Sequence, residues 1–190
     1  TDTPNPKSWY AITKSEGAKH VLSLGEHGLV IRIANPYRAH LVGHSAPAGL
    51  PAIAALRRLQ AGKKDFVHKM IDRFVSSLDI SVPTDQIFVP TFVDDIAYAI
   101  DVLLQMNADG IYHIVGSDAL SPFDVAMEIA KVYDFYSYLI KKTTFHEYFF
   151  NRAPIPQYAA LSNQKLLTLG VMMKTFREGL LTLKAQEQID

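Results

Sequence analysis

Tyr10-Ala-Ile-Thr-Lys14 places a phenol and an ammonium group one helical turn apart, near the start of a 190-residue chain. Residues four apart project from the same face of a helix, so the lysine charge lies near the phenol and favours its ionised form. Tyrosine ordinarily titrates near pH ~10. Lowering that value makes it a usable general acid or base toward a carbonyl oxygen, an effect worth about 10²- to 10⁴-fold in rate. The same spacing recurs in Tyr138-Leu-Ile-Lys-Lys142, so spacing alone does not distinguish chemistry from a surface pair. Context does. Tyr10 follows the turn-rich Thr3-Pro-Asn-Pro6 and opens a helical segment, which is succeeded by Gly28 and the apolar run Leu29-Val-Ile-Arg-Ile-Ala34. Tyr138 lies in an aromatic stretch without that succession.

Working outward, the pattern predicts a helix from Tyr10 to about Leu24 and a strand from Leu29 to Ala34. Asn35 to Gly62 contains Pro36, Pro47 and Pro51 and reads as a long connection with one short helix around Ala52 to Gln60. A helix over Asp65 to Ser76 precedes a strand over Asp79 to Val82. Ile96, Ile100, Leu103 and Leu104 recur at helical spacing, which predicts a buried stripe on a helix with Asp94 as its N-cap. Ile111 to Val115, bounded by Gly110 and Gly116, reads as a buried strand. Ser121-Pro-Phe-Asp124 carries a serine N-cap, proline at the first position and an acid at the third, opening a helix to about Tyr133. Ser162 to Leu169 reads as helix with Gly170 as its stop, and Thr175-Phe-Arg-Glu178 is a capping box for a last helix. Strands alternating with helices indicate an α/β fold.

Composition bounds the function. The chain is 48% hydrophobic, enough for a sizeable core. Nineteen basic and nineteen acidic residues give a formal net charge of zero, which disfavours nucleic acid and anionic membrane as partners. Apolar runs such as Leu29 to Ile31 fall far short of the ~20 residues that span a bilayer. With no cysteine there are no disulfides or thiolate metal sites, which fits a reducing, cytoplasmic setting.

Several segments together are similar to the extended short-chain dehydrogenases/reductases, and within them to the dTDP-4-dehydrorhamnose reductase group. Pro4-Asn-Pro-Lys-Ser-Trp-Tyr-Ala-Ile-Thr-Lys-Ser-Glu-Gly17 resembles the start of that group's active-site helix, and Leu29 to Tyr37 the strand that follows it. Asp85-Gln-Ile-Phe-Val-Pro-Thr-Phe-Val-Asp-Asp-Ile-Ala97 resembles its Asp-Gln then Pro-Thr segment. Gly110 to Gly116, Arg152-Ala-Pro, and Leu161-Ser-Asn-Gln-Lys-Leu166 resemble its late strand and carboxyl-terminal signature.

The resemblance implies a partial Rossmann-type sheet with a smaller α+β substrate-binding lobe: residues 1–36 and 94–120 as the NAD(P)-binding part, 37–93 and 121–190 as the lobe. It implies a nucleotide-sugar substrate, NADP or NAD as cofactor, Tyr10 and Lys14 as catalytic and cofactor-binding residues, and cofactor contacts from Asn35 and Pro36. Asp85, Gln86, Thr91 and Arg152 are its implied substrate-binding residues. A guanidinium at Arg152 suits a diphosphate, although an arginine in a proline-flanked loop is also simply a surface residue. The sequence carries no glycine-rich turn of the kind that receives a pyrophosphate, and no strand precedes Tyr10 to supply the family's Ser or Thr. The chain therefore reads as the carboxyl-terminal part of such an enzyme, catalytically incomplete alone, awaiting an amino-terminal half or a homodimer partner. Two rivals remain: a nucleotide-sugar epimerase or dehydratase, suggested by Asn35-Pro36-Tyr37, and a non-catalytic binding subunit like the regulatory subunit of methionine adenosyltransferase.

Three further features read more simply. His40 and His44 have a zinc-compatible spacing but lie in a loop with no adjacent acidic ligand. Asp94-Asp95 reads as capping rather than a carboxylate pair, since neighbours on a helix diverge. The aromatics Tyr133, Phe135, Tyr136, Tyr138, Phe145, Tyr148, Phe149 and Phe150 read as core packing or a subunit contact rather than a base-stacking platform.

Overall fold

The computed structural model describes residues 4–39, 64–151 and 155–187. The expected helix over Ala52 to Gln60, and His40, His44 and Arg152, lie outside the described residues. Helix α1 spans Trp9–Leu22 and leads through a short 3-10 turn to strand β1, Leu29–Ile33. Strand β2 (Pro36–Tyr37) follows, then α2 (Phe66–Val75), β3 (Ile80–Pro83), β4 (Thr91–Phe92), α3 (Val93–Gln105) and β5 (Gly110–Ile114). The described chain ends with α4 (Pro122–Tyr133), β6 (Ile140–Thr143), two single-turn helices α5 (Phe145–Tyr148) and α6 (Gln164–Leu167), and α7 (Phe176–Glu187).

The strands pair in parallel, two by two. Leu29 to Ile33 of β1 register with Gly110 to Ile114 of β5, Pro36-Tyr37 with Thr91-Phe92, and Ile80 to Pro83 with Ile140 to Thr143. Parallel pairing requires crossovers, and helices supply them, which makes this a mixed α/β fold. Two hydrophobic clusters fill it. One gathers Ile96, Ala99 and Leu103 of α3, Tyr112 and Ile114 of β5, and Leu166, Val171 and Met173, with Leu29 and Ile31 packed against it. The other gathers Tyr37, Val67, Phe74, Ile80, Val82 and Phe92 with the inner faces of α4 and α7.

Local chemistry explains most boundaries. In α4, the Ser121 hydroxyl accepts from the Asp124 N–H while the Asp124 carboxylate accepts from the Ser121 N–H; Pro122 opens the helix, which runs to Tyr133 as the sequence predicts. Thr175 and Glu178 form the corresponding reciprocal pair at the start of α7. Asp65 caps α2 by accepting from the His68 N–H.

Three expectations need correction. Phe92, not Asp94, occupies the N-cap of α3; it ends β4 in extended geometry, and Asp94 falls in the first helical turn, accepting from Gln186. The inward stripe of α3 is Ile96, Ala99, partly buried Ile100 and Leu103, while Leu104 is 61% exposed. That is the i, i+3, i+4, i+7 face of a helix lying on one layer, too narrow to take in i+8. The helix expected over Ser162 to Leu169 shortens to Gln164–Leu167, because the Asn163 amide donates to the Val115 and Gly116 carbonyls and holds the backbone out of helix before it. Gly170 ends the segment at φ +76°, as expected.

The aromatics divide. Tyr133 is buried and stacks on Phe135, which stacks on Phe74, whereas Tyr136, Tyr138 and Phe150 are exposed. No helix among the described residues is long and apolar enough to cross a membrane.

Two pairs of substitutions test this frame. A Cβ on Gly179 would lie 1.9 Å from the Tyr37 hydroxyl, so Gly179→Ala is expected to cost about 1–3 kcal/mol in urea unfolding. Tyr37→Phe in that background should recover part of the loss; strict additivity of the two changes would refute the clash. Asp95 is buried and accepts from both the N–H (2.7 Å) and the ammonium (2.5 Å) of Lys174. Asp95→Ala should cost about 2 kcal/mol by leaving these donors unmatched, whereas Asp94→Ala should stay within about 0.5 kcal/mol, as at an exposed site.

Candidate active site

Ser8 caps α1 by accepting from the Ala11 N–H, so Tyr10 is the helix's second residue. The Tyr10 side chain is 73% exposed and the Lys14 ammonium sits 5.7 Å from the centre of its ring. One face of α1 thus carries a phenol and an ammonium side by side, both able to donate to oxygens of one ligand. The second Tyr-x-x-x-Lys is different in kind. Tyr138 lies in a 3-10 turn, Lys142 lies on β6 with its ammonium over the Phe123 ring, and no helical face joins them.

Position follows from the α1–β1 hairpin. A Cβ on Gly28 would lie 2.3 Å from the Val21 carbonyl oxygen, so only glycine lets the last turn of α1 abut the start of β1. From there α1 runs back for about 21 Å along a strand of about 17 Å. Tyr10 and Lys14 consequently lie toward the carboxyl end of β1, the end at which parallel α/β sheets bind ligands.

Asn35 and Pro36 are at that end. Asn35 adopts φ +42°, in the left-handed region that asparagine tolerates, and its carbonyl accepts from the Thr91 N–H at 3.2 Å. This turn sends the chain from β1 into β2, and Pro36 registers with Thr91. Thr91 itself is fully buried. Its hydroxyl donates to the Val89 carbonyl and accepts from the Gly116 N–H, tying β4 to the end of β5.

Asp85 and Gln86 belong to a neighbouring corner. One Asp85 oxygen accepts from the Phe145 N–H at 2.6 Å, at the start of α5, and the other from the Gln157 amide at 3.2 Å, while the Asp85 carbonyl takes the same amide at 2.9 Å. Gln86 is buried. Ile87 bridges to Tyr158, which is exposed beside exposed Ile155. The structure thus joins Asn35, Pro36 and Thr91 at one point, and Asp85 with Gln157 at another.

Sequence reading missed Gln157, Asn163 and Asp118. Each is a polar side chain fixing backbone far along the chain: Asp118 accepts from the Phe176 N–H at 2.8 Å, and Asn163 holds the carboxyl end of β5. Their partners are 58, 47 or 72 residues away, so no local spacing signals them. Among the described residues no group of three or more His, Cys, Asp or Glu could hold a metal ion.

Comparison with known proteins identifies relatives of this fold. The chain is 29% identical over 179 residues to the spore coat polysaccharide biosynthesis protein SpsK of Bacillus subtilis (strain 168), a match covering 94% of this chain and 54% of that protein. Its fold matches a dTDP-4-dehydrorhamnose reductase from Clostridium acetobutylicum ATCC 824 with a TM-score of 0.75 and 25% identity, over 99% of this chain and 59% of that one. The dTDP-4-dehydrorhamnose reductase from Bacillus anthracis str. Ames, solved with NADP, matches at 0.75 and 23% identity over 97% and 58%. A UDP-glucose 4-epimerase from Thermus thermophilus, solved with NAD, shares the fold at 0.67 and 19% identity over 98% and 56%. The chain spans little more than half the length of these relatives. The family model described as the RmlD substrate binding domain matches residues 1–189, and the chain belongs to that family.

Proposed function

We propose that this chain supplies the proton-donating and sugar-binding part of an NAD(P)-dependent reductase acting on a nucleotide-linked 4-keto-deoxysugar. The observation that carries this reading is the exposed Tyr10–Lys14 pair, side by side on one face of α1. The relatives support it: two of the matched structures are dTDP-4-dehydrorhamnose reductases, one solved with NADP. On this reading residues 1–36 and 94–120 are the dinucleotide-binding part and 37–93 and 121–190 the substrate lobe.

The donor set fits one end of a dinucleotide. Lys14 carries three N–H donors and no acceptor, which suits the vicinal hydroxyl oxygens of a ribose, and its open position leaves them available. When bound, a reduced nicotinamide supplies hydride to the carbonyl carbon. Tyr10 delivers its phenolic proton to the carbonyl oxygen, so that the C=O bond becomes an alcohol and the phenolate left behind sits beside the Lys14 charge. Asn35 and Pro36 offer backbone groups at the strand end where both reactants meet. Asp85, held by Gln157, and buried Gln86 shape the lobe wall near exposed Tyr158; Thr91 holds the β2–β4 pair on which Asn35 is mounted.

The assay is nicotinamide absorbance with a dTDP-4-keto-deoxysugar, using the chain alone and the chain joined to a glycine-rich dinucleotide-binding half. Tyr10→Phe is expected to lower kcat by about 10²- to 10⁴-fold, and Lys14→Met to raise the KM for cofactor as well. Wild-type turnover in Tyr10→Phe would overturn the proposal. Interconversion of sugars without net cofactor oxidation would make it an epimerase. Partner binding with no turnover in either form would make it a binding subunit.

A further inference from the structure

Arg32 and His113 stand side by side on the β1–β5 pair. They are register partners on parallel strands, about 4.8 Å apart. Both lie on the face opposite the cluster that takes in Ile31, Tyr112 and Ile114. Each is the fourth residue of a five-residue strand, so the two side chains are near the carboxyl ends, where parallel α/β sheets bind ligands. Both are half-buried. His113 Nδ1 is 3.2 Å from the Ser162 carbonyl. A carbonyl only accepts, so Nδ1 carries the proton and Nε2 is left for another partner.

Neighbouring acids do not balance the guanidinium. Helix α1, packed on β1, carries Tyr10, Lys14, Glu16, Lys19 and His20, and its one acid, Glu16, pairs with Lys19 at 2.7 Å. Helix α6, packed on β5, carries Lys165, which donates to the Ile111 carbonyl. On the opposite face, Asp95 of α3 pairs with Lys174, while Asp94 and Asp101 accept from Gln186 and Gln105. Asp118, beyond β5, accepts from the Phe176 N–H. Among the described residues Arg32 makes no ion pair or hydrogen bond. A guanidinium set beside an imidazole with no acid between them is an arrangement that an anion completes. We propose that Arg32 and His113 together form a phosphate site: the guanidinium takes two oxygens of the anion, and His113, protonated as the anion arrives, donates from Nε2 to another. The site does not depend on Tyr10 or Lys14 and stands whether or not that pair transfers a proton.

Without an anion, burial lowers the His113 pKa, the Ser162 bond raises it against that, and the Arg32 charge lowers it again, leaving it below its ordinary value. A bound phosphate offsets the Arg32 charge and accepts from the protonated ring, so it raises the pKa. Affinity is therefore fullest below the free ring's pKa and is lost as pH rises through the higher pKa of the bound ring.

The test is a titration of the intact chain with inorganic pyrophosphate at fixed ionic strength, read by calorimetry and by nuclear magnetic resonance of the His113 ring. Saturating pyrophosphate is expected to raise the ring's midpoint by about one unit, a tenfold coupling between proton and anion. Arg32→Gln should weaken pyrophosphate binding by about tenfold or more and raise the midpoint of the free ring. Arg32→Lys keeps the charge without the fork, so it should weaken binding less and leave the free midpoint in place. The source of the phosphate is then read by comparing dTDP with NADP: tighter dTDP assigns it to a nucleotide-linked sugar, tighter NADP to the dinucleotide. These are binding measurements and the proposed reaction is read by turnover, so failure of one leaves the other standing. A midpoint unmoved by pyrophosphate, an equal response to sodium chloride of matched ionic strength, or unchanged affinity in Arg32→Gln would each overturn the site.

Discussion

Tyr37 is where α2, β4 and α7 meet. Its ring contacts Phe66, Phe92 and Phe176, from α2, β4 and α7, and its buried hydroxyl donates to the Phe176 carbonyl at 3.4 Å. A tyrosine so enclosed needs both an acceptor for its O–H and a space for the oxygen. Phe176 provides the first and Gly179 the second. Because Tyr37 follows Asn35-Pro36 directly, seating this ring also fixes where the chain leaves β1.

Around that centre, single polar side chains do what the short strands cannot. β2 and β4 are two residues each, too few to set an orientation by pairing alone. Asp118 receives the first N–H of α7, Asp95 receives Lys174 just before it, and Asp65 with His68 receives Glu187 at its end. Helix α7 is therefore tied near both ends by carboxylates, with Phe176, Gly179, Leu180 and Leu183 buried between. Burial supplies most of the cohesion; the carboxylates select one docking among the many that an apolar face would accept.

What could be read from sequence was what is local. Ser121 with Asp124, and Thr175 with Glu178, act within one helical turn, and both capping boxes are present as read. The Tyr10–Lys14 pairing is equally local, and the α1–β1 succession separated it from Tyr138–Lys142. Asp is the residue type preferred at an N-cap, but Phe92, extended at the end of β4, starts α3 without a side-chain cap and leaves Asp94 in the first turn. Gln157, Asn163 and Asp118 were illegible because their partners lie many residues away, as was the Thr91 hydroxyl's bond to Gly116. A composition of balanced charge gave no hint of His68 lying between the carboxylates of Asp65 and Glu187.

The same division separates the parts of the candidate site. The relation of Tyr10 to Lys14 is intrinsic to a helix: α1 has no buried residue, and it needs none to keep residues four apart on one face. Their relation to Asn35 is different. It depends on Gly28 admitting the Val21 carbonyl, on β1 holding register with β5, and on the Asn35 turn being closed by Thr91. Under the proposed function, changes at Tyr10 or Lys14 therefore remove chemistry and leave the frame, whereas changes at Gly28 or Thr91 leave the chemical groups and displace them. Catalysis tolerates little displacement, about 1 Å being enough to cost 10²-fold. Under the proposed function the frame residues are thus as decisive as the pair that would move the proton, although none of them touches it.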